Sequence, residues 1–200
     1  MQTHVMQAPF MGCAAAEMYE YLLVVNPGAQ AQAQLAEEKQ QFYNLYKDDE
    51  AINTQPCLTV ASFYAKETME ETLIRYMHRI FSMHTSFSVM LNNYSGFPPS
   101  ELFIRVQQHE PFKQLAEGLR AIDHYVRSNG YPAATLVTKP HVTLAGQLPE
   151  TIYNKVMLDY SQRIFNTSFM VTELVLLKRT SRFEACRQVN IFKLMPAVNN

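Results

Sequence analysis

The chain has 200 residues, of which 48% are apolar and 18% charged, with a formal net charge of -1. That length and balance suit one domain or two closely joined lobes and exclude wholesale disorder. The near-zero charge excludes attraction of the whole chain to nucleic acid or an anionic membrane, so any anion site must be local.

Residues 1–17 read as a flexible arm. Within them "FMGC" (10–13) has neither a basic residue ahead of it nor the long apolar run of a signal peptide. "YEYLLVV" (19–25) is a β-rich run and predicts a strand. After the breaker "NPG", Ala31, Leu35, Phe42 and Tyr46 recur at helical spacing, with "GAQAQAQ" as a mobile helix start. The charge run "KDDE" (47–50) predicts a solvated loop, and "CLTVASF" (57–63) a strand. Thr68 and Glu71 have the spacing of a capping box ahead of a helix with Met69, Leu73, Met77 and Phe81 on one face. "TSFSVMLNNY" (85–94) and "ELFIRV" (101–106) predict strands. Pro111 then opens a helix carrying Phe112, Leu115, Leu119, Ile122 and Val126, stopped by Gly130. "HVTLAG" (141–146) is a further strand. Pro149 opens a helix with Ile152, Val156, Tyr160 and Ile164 on one face, and strands at 168–179 and 187–195 close the chain. No apolar run approaches 18 residues, so no membrane span is expected. Cys13, Cys57 and Cys186 form no CxxC pair, which fits a reducing, cytoplasmic home.

The order of elements repeats, and so do residues. An offset of 84 places Pro56 on Pro140, Thr59 on Thr143, Ala61 on Ala145, Tyr76 on Tyr160 and Arg79–Ile80–Phe81 on Arg163–Ile164–Phe165. Seven identities fall in that 26-residue window; chance would give roughly two. The chain is therefore a duplication. The fold class expected is α+β, with two pseudo-symmetric β-α-β-α-β lobes around a central cleft. Residues 18–196 would form this single domain, with lobe one at about 18–99 and lobe two at about 100–196.

Alternate residues of a strand share a face, so His141 projects with Thr143 and Cys57 with Thr59. A pseudo-twofold axis would bring both pairs to one cleft. Two His-x-Thr pairs so placed suit phosphodiester chemistry: one imidazole accepts a proton, the other donates one, and the hydroxyls hold the phosphate oxygens. The chemistry needs no metal and no cofactor, and no metal-ligand spacing is present. On "KPHVTLAG" (139–146), the Pro-x-x-Thr kept at 56–59, the duplicated lobes and the Pro-containing turn after the first strand, the chain resembles the 2H phosphoesterases. Those include the 2′-5′ RNA ligase and 2′,3′-cyclic phosphodiesterase proteins.

The resemblance implies that His141 is catalytic and that Thr143 and Thr59 bind phosphate. It implies a second catalytic histidine at position 57, where this chain has Cys57. A thiol supplies no cation beside a phosphate, and only a few per cent of a free thiol ionises at neutral pH. The expectation is a metal-independent enzyme of reduced activity on 2′,3′-cyclic phosphate or 2′-5′ linkages of small nucleotides or RNA ends. The alternative is a catalytically inactive module that binds such a nucleotide or RNA end in the same cleft. An interaction protein that has kept only the fold is a third reading. No obligate protein partner is implied. Cys57 also admits two other roles, a nucleophile with His141 as its base or a small buried strand residue. Lys139, Phe63, Tyr64 and Tyr131 are candidate phosphate or base contacts, with core packing or solvation as the other reading of each. His78, His84, His109 and His124 have no histidine partner in the repeat and read as surface or helix residues.

Overall fold

The computed structural model describes residues 18–48, 54–181 and 184–197. The arm expected at 1–17, Cys13 and residues 49 and 50 of the charge run lie outside them. The described chain runs β1 (Met18–Val25), α1 (Ala29–Tyr46), β2 (Leu58–Lys66), a 3₁₀ turn (Glu67–Met69), α2 (Glu70–Phe81), β3 (Phe87–Phe97), β4 (Glu101–Val106) and α3 (Glu110–Ser128). It continues through β5 (Thr135–Leu136), β6 (His141–Ala145), α4 (Glu150–Ser161), β7 (Asn166–Val171), β8 (Glu173–Arg179) and β9 (Arg187–Lys193). The fold is α+β, with two antiparallel sheets ordered β5-β2-β1-β8-β9 and β6-β4-β3-β7.

Neither half of the duplication builds a sheet of its own. β3 follows α2 but pairs with β4, and β8 follows α4 and β7 but pairs with β1. The helices are exchanged as well: α1 packs against β6 and β7, and α3 packs against β2. Each sheet thus draws on residues from both sides of the 99/100 boundary, and α1 crosses to the sheet that carries His141. The apolar faces read from the sequence are the ones buried, with Ala31, Leu35 and Phe42 on α1 and Phe112, Leu115, Leu119, Ile122 and Val126 on α3 all inside. Gly130 takes a φ of +84°, the left-handed conformation that ends a helix most easily without a Cβ.

Three local expectations are corrected. Thr68 is not a cap: it lies inside the 3₁₀ turn, and α2 starts at Glu70 with no side-chain cap. That end is tied instead by Lys178 of β8, which bonds Glu67 at 2.6 Å and Glu70 at 2.7 Å. Ile164 does not share the apolar face of α4, which ends at Ser161, and Ile164 is 86% exposed. The chain has already turned toward β7, so Phe165 is buried in its place. The run expected as one strand over 168–179 is divided at Thr172 between β7 and β8, which sit in different sheets.

Gly96 in β3 lets α4 lie close. A Cβ there would stand 2.5 Å from the Tyr153 hydroxyl, 2.7 Å from Met157 Sδ and 2.9 Å from the Glu101 carbonyl oxygen. The last contact is backbone and cannot swing aside. Gly96→Ala is expected to lower unfolding stability by about 1–3 kcal/mol, the usual range for overpacking, as a reduced denaturant midpoint in chemical unfolding.

Candidate active site

The two motif strands open onto one cleft of about 310 Å³. Pro56, Cys57 and Thr59 line one side and Pro140, His141 and Thr143 the other, with Lys39, Thr54, Gln55 and Val137 completing the wall. The motifs share more than residue types. Along β2, Thr59 pairs with Val24 and Ala61 with Leu23, leaving Val60 as an extra residue. Along β6, Thr143 pairs with Phe103 and Ala145 with Leu102, leaving Leu144 extra in the same place. A bulge directly after each motif threonine bends the strand and re-aims the residues before it. Val60 and Leu144 are both buried, which anchors the bulge in the core while the threonine faces the cleft.

On the second side His141 is held in detail. Its Nε2 lies 3.0 Å from Glu101 Oε1, and the Thr143 hydroxyl donates to the same carboxylate oxygen at 2.7 Å. The ring packs against Phe103, with centroids 4.5 Å apart, and meets Phe97 edge-on at 5.3 Å. The hydrogen bond from His141 holds the Glu101 carboxyl below the usual carboxylate range, with Thr143 adding to it and burial opposing. The ionised carboxylate favours the form of His141 with hydrogen on Nε2.

The first side is built differently. Cys57 is half-buried at the entry to β2 and forms no disulfide. Burial pushes its thiol above the ordinary range, with nearby Lys39 pulling the other way. A thiol so placed is protonated at neutral pH, which weighs against the nucleophile reading. Lys39 reaches this side from α1. It is 5% exposed, and its Nζ donates to the Thr54 carbonyl at 2.9 Å and to the Thr54 hydroxyl at 2.7 Å. Burial lowers its pKa to about 8.

Lys39 and Glu101 were not among the sequence candidates. A signal existed for the lysine, which stands four residues after Leu35 and three before Phe42, within the apolar stripe of α1. For Glu101 the alternation of β4 places it away from buried Leu102 and Ile104, but only the β4–β6 pairing brings it to the motif. Other expected contacts stand elsewhere. Phe63 is buried and stacks on Tyr21 with centroids 5.3 Å apart, so it is a core residue and not a base contact. Tyr131 packs against the core beyond α3, Lys139 is exposed, and Tyr64 is half-exposed further along β2; none of these four is among the lining residues. His78, His84, His109 and His124 also lie outside the cleft lining. Among the described residues no cluster of His, Cys, Asp or Glu is grouped to hold a metal ion, and no helix is long and apolar enough to cross a membrane.

Residues 27–182 match the family model of the 2′-5′ RNA ligase superfamily. The chain belongs to that superfamily. Solved structures similar to this superfamily member include TT0787 of Thermus thermophilus, 20% identical with a TM-score of 0.64, covering 88% of this chain and 98% of that one. A second, described as a phosphoesterase, is 20% identical with a TM-score of 0.62, covering 90% and 99%. E. coli LigT complexed with 3′-AMP is 17% identical with a TM-score of 0.58, covering 88% and 98%. No curated protein matches by sequence. Family and fold together support phosphoester chemistry, hydrolysis or ligation, as the general function of this 2′-5′ RNA ligase superfamily chain.

Proposed function

We propose that the cleft binds the phosphate of a small nucleotide or RNA end and acts, without a metal, on 2′,3′-cyclic phosphate or 2′-5′ phosphodiester bonds. The single observation that carries this reading is the meeting of Cys57, Thr59, His141 and Thr143 across one cleft, with matching bulges behind both threonines. E. coli LigT has been crystallised with 3′-AMP, ATP and NADP+, which fits a nucleotide as ligand here.

In the hydrolytic direction, water attacks phosphorus, His141 accepts the water proton on Nδ1, the ring nitrogen not turned to Glu101, and the bond from phosphorus to one ribose oxygen breaks. The leaving oxygen takes a proton from the opposite side, where Cys57 holds one. The threonine hydroxyls donate to the non-bridging oxygens as charge gathers on them. The thiol brings no positive charge, and removal of one acid–base partner typically slows such a reaction about 10²–10⁴-fold. A slow enzyme is the outcome. A binding role without turnover is the second reading, favoured by the thiol of Cys57, which burial keeps protonated where the chemistry calls for a group that titrates near neutrality.

Both readings require the threonines. Titration calorimetry with adenosine 2′-monophosphate should give an affinity that drops about tenfold to a hundredfold for each of Thr59→Val and Thr143→Val, as for hydrogen bonds to a charged group. Unchanged affinity in both variants would leave a protein that has kept the fold for another purpose.

A further inference from the structure

We infer that Lys39 is the cationic arm of the first half of the cleft, supplying to a bound phosphate the positive charge that the cysteine at position 57 lacks. The inference rests on the phosphate-binding reading given above and adds a residue from outside both motifs.

α1 buries Ala31, Leu35 and Phe42, and the stripe continues through Lys39, which is as hidden as its apolar neighbours. An ammonium placed there loses most of its hydration, a cost that natural sequences accept when something is gained. Among the described residues no carboxylate lies within ion-pair distance of it. Its two hydrogen bonds both go to Thr54, two residues before Pro56, and among the described residues the third ammonium hydrogen finds no acceptor. A buried cation with a spare donor, on the wall of a cleft beside Cys57 and Thr59, is arranged for an anion.

The exchange of helices explains how it gets there. α1 belongs to the first half of the duplication, yet it packs against β6 and β7 of the second sheet. It therefore passes behind the cleft, and a side chain from its buried face can reach the first motif. The burial that lowers its pKa to about 8 leaves the ammonium mostly charged at pH 7 and makes an arriving phosphate a strong partner.

Among the described residues the titratable groups acting on this lysine are Cys57 and Asp48, and His141, which faces Glu101, lines the opposite wall. The test is calorimetric binding of adenosine 2′-monophosphate to the full chain and to Lys39→Met and Lys39→Arg, from pH 7 to pH 9, with thermal unfolding alongside. Lys39→Met should weaken binding about tenfold or more at pH 7, while Lys39→Arg retains most of it. The wild-type affinity should fall as pH rises through about 8 and the ammonium loses its proton. The Lys39→Met profile carries the contribution of the other groups, so the difference between the two profiles belongs to the lysine. A purely structural tether to Thr54 would lower the melting temperature and leave that difference flat.

Affinity in a folded Lys39→Met within twofold of wild type overturns the inference. So does a wild-type profile that is flat from pH 7 to pH 9, a result available even if the methionine variant does not fold. If the wild type binds no nucleotide at all, the phosphate-cleft reading itself fails and this inference with it. If binding is lost in Thr59→Val and Thr143→Val but kept in Lys39→Met, only the role of the lysine falls.

Discussion

Cys57→His should raise turnover of 2′,3′-cyclic nucleotides about 10²–10⁴-fold over the wild type, and His141→Ala should abolish whatever turnover the wild type has. The cleft of about 310 Å³ leaves room beside the half-buried thiol for an imidazole. The flanking geometry is already in place: Thr59 two residues on, the bulge at Val60, and Pro56 before. What the substitution adds is a group that titrates near neutrality where the present thiol is held protonated by burial. Lys39 stands beside the new imidazole and the Glu101 carboxylate beside His141. Divergent environments of this kind sort two similar groups into acid and base. Steady-state rates for the three proteins check this. Wild-type activity that survives His141→Ala would remove His141 from the chemistry. No gain in Cys57→His, with nucleotide still bound, would favour the binding module.

Glu101→Gln is expected to tighten binding of a nucleotide monophosphate about tenfold to a hundredfold. The Thr143 hydroxyl has one hydrogen and donates it to Glu101 at 2.7 Å, and His141 Nε2 faces the same oxygen at 3.0 Å. A phosphate oxygen would need both groups and would approach a carboxylate while doing so. At an effective dielectric near 20, two like charges about 4 Å apart repel by about 4 kcal/mol, of which solvent at this quarter-exposed pair screens a large part. The amide keeps the shape and removes the charge. Stability should move the other way. The carboxyl is held below its usual range in the folded protein, so it contributes stability above the ordinary carboxylate pKa that is lost as pH falls into the acid range. Glu101→Gln should therefore unfold more easily at pH 7, and its stability should fall less between pH 5 and pH 3 than that of the wild type. Calorimetric titration and denaturant unfolding measure the two effects. Weaker nucleotide binding in the variant would make Glu101 a support for His141 and not a competitor of the ligand.

The duplication, the α+β class, the strand pairs of each motif and the apolar faces of the helices were all legible as local patterns. Period-2 and period-3.6 spacing depends only on neighbours in the chain, and the 84-residue offset only on identity. The four residues singled out on chemistry, Cys57, Thr59, His141 and Thr143, do line one cleft. Nearness to a motif in sequence does not place an aromatic ring in the cleft: Phe63 points to the core side of β2 and stacks on Tyr21.

By itself the sequence determined the units of the fold and the two motifs, since hydrophobic period and residue chemistry act within a few residues of each other. Only the tertiary structure decided which unit lends its third strand and its first helix to the other's sheet, since pairing partners are chosen by the packing of the whole core and not by any single segment. That exchange is why Lys39 stands at the site, and the β4–β6 pairing within the second half is why Glu101 does. One comes from a helix behind the cleft and the other from the start of a strand that β6 happens to join, at 102 and 40 residues from His141, respectively.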